Sequence, residues 1–336
     1  MVSAFQAWSE FPSFFSRGYA VTGEMDRRSF LHIGLAAGAA ALAPRWAIGQ
    51  APAPATDRLG QMRTAGASTP IKTTKLYDNV YLLQGAGGNM AVQTGPQGKV
   101  LIDSSFSTAV PKIREALDAL SKDPADALIN THWHIDHTDG NDGMHSAGFR
   151  IYAHQKTRDR LAVPATMKLF NMTLPAAPSG GLPTITFEHA LRLWHNDDSL
   201  DLVHFDPAHT DTDIYIYFHK ADVLHTGDTW FNGTYPFIDE GTGGTIAGMI
   251  AATDKALSVA GDGTKIIPGH GPLGTKADLK KSRDMLSSVR DKVAALKSAG
   301  ASEQEVISKK PTADLDPVWG KGFSPDMFVG IVYRTV

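Results

Sequence analysis

The chain has 336 residues, 42% hydrophobic and 20% charged, with 32 Lys and Arg against 35 Asp and Glu for a formal net charge of −3. This balance fits a soluble globular protein of one large domain or two small ones, and its scattered basic residues offer nucleic acid no continuous patch. Cysteine is absent, which excludes disulfides, thiolate ligands and a cysteine nucleophile, so any metal must be held by His, Asp and Glu.

Residues 1–24 precede Met25 and read as a non-native extension or an unstructured segment. Met25-Asp26-Arg27-Arg28-Ser29-Phe30-Leu31 resembles the twin-arginine signal of bacterial folded-protein export, so residues 25–55 are expected to be a signal peptide. The Ala/Gly-rich segment behind it, about 14 residues, is too short for a permanent membrane helix. Ala47-Ile48-Gly49 or Ala53-Pro54-Ala55 would be the cleavage site. The export machinery would then be a partner, and the protein would work in the periplasm or outside the cell. No later stretch is long and apolar enough for an anchor. Residues 56–72 read as a linker and 73–336 as the working domain with C-terminal helices.

In that domain, residues 76–83 suggest paired strands around an Asp78-Asn79 turn. Residues 89–93 and 99–103 flank Gly95-Pro96-Gln97-Gly98, a hairpin signal. Ile113, Ala116, Leu117 and Leu120 predict an amphipathic helix over 110–120. Leu128-Ile129 is a short buried strand, and 149–153 is the next strand, followed by a helix-prone, Met-containing segment. The Pro- and Gly-rich loop 175–183 is either a substrate lid or a plain connection. Strands follow at 184–187, 191–194, 200–205, 214–218 and 223–224. Ile246, Met249, Ile250 and Leu257 predict a helix, and 265–267 a last strand. Residues 276–298 form a strong helix, with Leu279, Leu286, Val289, Val293 and Leu296 on one stripe. Its basic residues Lys276, Lys280, Lys281 and Arg283 read as a solvated face. Ser302 with Glu305 resembles a capping box, and 323–329 is apolar enough to pack on the body. Strands then helix, twice over, predict a layered α/β architecture with mixed sheets.

The chemistry gathers at residues 127–141, where His132, His134, Asp136 and His137 lie within six positions. In an extended segment His132, His134 and Asp136 project to one side, and a helical turn at Asp136 would bring His137 beside it. Imidazole and carboxylate are the ligands that zinc and similar ions accept. Three more candidates each follow an apolar strand: His209, Asp228 in Gly227-Asp228-Thr229, and His270 in Gly269-His270-Gly271. Loops at strand ends are where ligands distant in sequence converge.

The ordered set His132-x-His134-x-Asp136-His137, His209, Asp228, His270 resembles the metallo-β-lactamase fold superfamily of hydrolases, across about residues 73–275. The resemblance implies a four-layer αββα sandwich with a site for two divalent metal ions, most simply Zn2+, at one edge. His132, His134 and His209 would hold one ion, Asp136, His137 and His270 the other, and Asp228 would bridge them. Asp103 would orient ligands rather than bind. The bridging aspartate is more typical of the family's thioesterases and lactonases than of β-lactamases proper. Ile135 and Asp139 stand where smaller residues are common, which would place bulk and charge at the mouth.

The implied reaction is attack of a metal-bridging hydroxide on an ester, thioester, lactone or amide carbonyl of a small molecule, with Asp136 as proton shuttle. β-Lactam hydrolysis is the runner-up. Related diiron redox proteins carry glutamate at the position of His134 and an electron-transfer module, and this chain has neither. Trp133, Phe231, Asn232 and Tyr235 are pocket candidates, with core packing the simpler reading. His225 is a candidate to support Asp228.

Overall fold

A strand that is apolar on both faces must be covered on both, and the middle strands here are buried along their whole length. The computed structural model describes residues 57–336; the expected extension and export signal lie outside them. In chain order come α1 (Arg58–Ser68), β1 (Lys72–Lys75), β2 (Val80–Gln84), β3 (Met90–Gln93), β4 (Lys99–Ile102), α2 (Val110–Leu120), β5 (Ala125–Ile129) and α3 (Ile135–Thr138). Next are α4 (Asn141–Ser146), β6 (Arg150–His154), α5 (Gln155–Leu161), β7 (Ala165–Met167), β8 (Met172–Leu174), β9 (Ile185–Phe187), β10 (Ala190–His195) and β11 (Asp198–His204). The chain ends with β12 (Ile214–Phe218), β13 (Val223–His225), α6 (Ile246–Val259), β14 (Lys265–Ile267), α7 (Lys276–Ser298), α8 (Glu303–Ser308), α9 (Asp316–Trp319) and α10 (Pro325–Thr335).

One sheet runs β1-β2-β3-β4-β5-β6-β9 and a second β10-β11-β12-β13-β14, while β7 and β8 pair as a separate hairpin. The first is antiparallel through β4 and parallel from there to β9. The second is antiparallel except for β13–β14. Val80, Leu82, Val100, Ile102 and Ile129 meet Leu202, Ile216, Phe218 and Ile267 between the sheets. The alternate residues Leu101 and Leu128 face outward onto Ile113 and Leu117 of α2. On the far side Leu224 and Ile266 pack on Met249, Leu286, Val289 and Phe328 of the C-terminal helices. The layers are therefore α, β, β, α, as the sequence resemblance implied.

The expected linker over 56–72 is instead helix α1, capped by the Asp57 side chain accepting from Gly60 N at 2.8 Å. The helix-prone stretch after β6 ends at Leu161, ahead of Pro164, and Met167 and Met172 belong to the β7–β8 hairpin. The first strand pair is displaced: β1 precedes residue 76, and 76–79 make the turn. Capping boxes start α7 (Thr275, Asp278) and α8 (Ser302, Glu305). The basic residues of α7 form exposed ion pairs, among them Lys280–Asp284 at 2.6 Å and Arg283–Asp254 at 2.8 Å. No helix among the described residues is long and apolar enough to cross a membrane.

The strands β4, β5, β11, β13 and β14 all run toward one edge of the sandwich. The loops leaving their C-terminal ends carry Asp103, the 132–137 cluster, His209, Asp228 and His270.

Candidate metal centre

The extended backbone expected through His132, His134 and Asp136 is not formed: β5 ends at Ile129, residues 131–133 bend, and α3 begins at Ile135. The break sorts the ligand candidates into two groups. His132, His134, His209 and Asp228 converge with ligand atoms within 4.8 Å of one another, and Asp136, His137 and His270 form a second such group. Asp136 thus sits with His137, as a helical turn requires, and not with His132 and His134. Asp228 reaches both groups: Oδ2 is 3.4 Å from His209 Nε2 and 3.3 Å from His270 Nε2, and Oδ1 is 3.1 Å from His137 Nε2.

Each of four imidazoles is oriented by its outward nitrogen. Thr131 Oγ1 donates to Asp103 Oδ2 at 2.8 Å, so His132 Nδ1 donates to that hydroxyl at 3.0 Å. His137 Nδ1 donates to Asp103 Oδ2 at 2.7 Å and His209 Nδ1 to the Phe237 carbonyl at 2.8 Å. His134 is turned the other way, with Nε2 donating to Asp239 Oδ2 at 3.0 Å. In the neutral rings that a bound cation requires, the inward atoms are lone pairs: His132 Nε2, His137 Nε2, His209 Nε2 and His134 Nδ1. His132 Nε2, His137 Nε2 and Asp228 Oδ1 are buried without a hydrogen-bond partner, and His209 Nε2 faces His134 Nδ1 at 2.8 Å. Leaving a buried polar atom unpaired costs about 1–3 kcal/mol, so a cluster of them calls for an electrophile. A sulfur-free set of nitrogen and oxygen donors fits divalent cations of the zinc type.

The charge distribution agrees with this fit. Burial holds His132 far below the ordinary histidine value and His209 down at about 4, so both are neutral. Burial also works to lower His137 and His270, but Asp228 with Asp103 and Asp136 pushes His137 well up, and Asp228 with Asp136 brings His270 to about 10. Asp136 and Asp228 are held below the carboxylate range, because those histidines outweigh the effect of burial. The second group is thus a place where negative charge demands a positive counterpart.

The supports are stiff. Asp103 has φ +60°, a left-handed conformation costing about 1 kcal/mol, and it is held there by bonds from Thr131 N, Thr131 Oγ1 and His137. A Cβ at Gly269 would lie 1.9 Å from Asp228 Oδ1, and one at Gly88 would lie 2.1 Å from His137 Cε1. His225 accepts from Gly227 N at 3.1 Å and bonds the Asn89 carbonyl at 3.1 Å, which fixes the loop carrying Asp228.

Among the pocket candidates, Phe231 stacks on His270 with ring centroids 5.0 Å apart. Trp133 is buried beside His134, Asn232 turns away to Pro272 O, and Tyr235 lies in the core with its hydroxyl on Asp316. Ile135 lines the cleft, but Asp139 does not bring charge to the mouth: it accepts Arg63 Nε at 3.0 Å and Nη2 at 2.7 Å. The 175–183 loop is tied down by Asn141 Nδ2 on Gly181 O at 3.0 Å and stays off the metal cleft. Sequence reasoning missed Asp239, Phe237 and Asn89. No periodicity or strand-end signal marks Asp239, which follows His209 only after β12 and β13.

A family model described as the metallo-beta-lactamase superfamily matches residues 79–276. Among solved structures, the fold is similar to the stereoselective inverting sec-alkylsulfatase Pisa1 from Pseudomonas sp., with TM-score 0.62 and 18% identity over 79% of this chain and 50% of that one. This chain therefore spans about half the length of the alkylsulfatase. The metallo-beta-lactamase from Pontibacter korlensis is also similar, with TM-score 0.54 and 18% identity over 65% of this chain and 99% of that one. At these identities the structures speak for the fold, while the family model takes in more than half of the residues and all seven ligand candidates. The chain belongs to the metallo-beta-lactamase superfamily of hydrolases.

Proposed function

We propose that the protein is a zinc-dependent hydrolase of small-molecule esters, thioesters, lactones or amides. The observation that carries this reading is the convergence of partnerless inward nitrogens around Asp228. His132, His134 and His209 would hold one cation and Asp136, His137 and His270 a second, with Asp228 serving both. Bound divalent cations supply Lewis-acid polarisation and an acidified water as nucleophile. The chain's own residues do the rest. Asp136 is ionised and opens to the cleft, with Oδ2 3.2 Å from His270 Nε2, a position from which its carboxylate would accept the nucleophile's proton by hydrogen bond and pass it to the leaving group. Phe231 and Phe237 wall the cleft and exclude water.

β-Lactam hydrolysis is the second reading within the class, and Asp228 weighs against it. A sulfate-ester reading rests on the larger share of this chain matched by the alkylsulfatase, 79% against 65%. Metal analysis and a panel of aryl ester, thioester, lactone, chromogenic cephalosporin and alkyl sulfate separate these. The expected result is two zinc ions per chain and chelator-sensitive carbonyl hydrolysis that Asp136→Asn slows roughly 100-fold or more. No turnover by fully loaded protein, with Asp136→Asn indistinguishable, overturns the proposal. Export is proposed on Arg27-Arg28: replacing both by Lys should leave the protein in the cytoplasm on cell fractionation, and unchanged export refutes it.

A further inference from the structure

The metal cleft is a cavity of about 350 Å³ whose floor is His134, Asp136, Asp228 and His270. Its walls differ sharply from its floor. Met62 comes from α1, Met167, Phe170 and Met172 from the β7–β8 hairpin, and Phe231 and Phe237 from the loops after β13. Above the ligands, Arg58 is the one charged side chain among the described residues lining this cavity. Its guanidinium sits 5.3 Å above the Phe170 ring, exposed and with no carboxylate in ion-pair contact among the described residues.

Helix α1 is built into this wall. Arg63 grips Asp139 through two bonds, and Asp139 also accepts from Ser107 N at 2.9 Å and Ser107 Oγ at 2.7 Å. Lys112 Nζ donates to Thr69 O at 3.2 Å, just past the helix end. Leu59 and Met62 pack against the cluster of Phe106, Trp133, Met167 and Met172.

We propose that α1 and the β7–β8 hairpin clamp a flexible apolar chain against the metal centre, and that Arg58 reads an anionic group on the same molecule. The occupant is a small amphiphilic anion. Three thioethers adapt to an aliphatic chain better than to a rigid or polar body. A peptide or sugar would find no polar wall side chain besides Arg58 among the described residues to pair its own polar groups. Arg58, with no carboxylate partner among the described residues, is placed to pair with a carboxylate or sulfate oxygen.

The clamp rests on the hydrolase reading for its role, and its test is a binding measurement independent of turnover. Zinc-loaded protein is titrated calorimetrically with decanoate, decan-1-ol and acetate. Decanoate should bind about 10-fold more tightly than decan-1-ol, and acetate far more weakly than either. Arg58→Gln should weaken decanoate about 10-fold and leave decan-1-ol unchanged, with Arg58→Lys recovering part of the loss. Met62→Ala should weaken both long-chain probes by about 5-fold. Equal binding of acetate and decanoate would place the carboxylate on metal alone and overturn the clamp, as would decanoate binding indifferent to Arg58→Gln. Arg58 is exposed and outside the core, and zinc content with circular dichroism checks that each variant is loaded and folded. If the hydrolysis panel fails while this pattern holds, the clamp stands and the enzymatic reading falls; the opposite result removes the clamp alone.

Discussion

Asp239 has no place in the ligand set, yet it determines which nitrogen His134 offers. Its carboxylate accepts from His134 Nε2 at 3.0 Å, with the two side chains 9% and 5% exposed, so the tautomer is set in a nearly dry environment. Burial opposes ionisation of Asp239, but the His134 hydrogen bond outweighs it and keeps the carboxyl below its usual range. Asp239→Asn keeps an acceptor and loses the charge. Removing such outer support weakens metal affinity about 10–100-fold, and Asn belongs at the lower end, near 10-fold. Asp239→Ala leaves a buried N–H unpaired at about 1–3 kcal/mol, which at about 1.4 kcal/mol per decade corresponds to roughly 5- to 140-fold. The loss should fall on the His132–His134–His209 group, because Asp239 touches His134 and the loop of His209 and no member of the other group. Competition with a zinc chelator, resolving two binding steps, reads this directly. Wild-type affinities in Asp239→Ala, or a loss confined to the Asp136–His137–His270 step, would show that Asp239 does not orient His134 for metal.

If two zinc ions bind as proposed, Gly269→Ala should drop bound zinc below two per chain, since its Cβ would lie 1.9 Å from Asp228 Oδ1 and 2.7 Å from the Gly227 carbonyl carbon; metal content after gel filtration measures it. Asp139→Asn should lower stability by roughly 1 kcal/mol at neutral pH, a value discounted because Arg63 is 36% exposed. Burial raises the Asp139 pKa, but the bonds from Arg63 and Ser107 bring it below normal. The unfolded chain then binds the proton more tightly, so urea denaturation should show the gap to wild type undiminished down to about pH 4 and closing below it. His204 is brought down to about 4 by burial and by His154, stacked on it at 3.8 Å between centroids. Its contribution to stability is therefore lost as pH falls from the ordinary histidine value near 6.5 toward 4; His204→Phe should show a shallower loss across that window in thermal melts.

Local sequence accounts for the candidate donors and for much of the regular structure. Without cysteine, only His, Asp and Glu remained as candidate donors, and the 132–137 cluster with three strand-end residues supplied the candidates that the fold brings into two groups able to hold a metal ion. The helix over 110–120, the hairpin around 95–98 and the long helix over 276–298 were legible because periodicity and caps act between residues close in the chain. Tertiary structure decided what joins distant segments. It turned an expected linker into α1, because Arg63 finds Asp139 some seventy positions on and Met62 finds a hairpin wall. It gave Asp139 a structural partner where the sequence suggested a charge at the mouth. Asp239 left no trace in the sequence, since a carboxylate aimed at one imidazole nitrogen needs no local pattern, only a loop delivered to the right edge of the sheets.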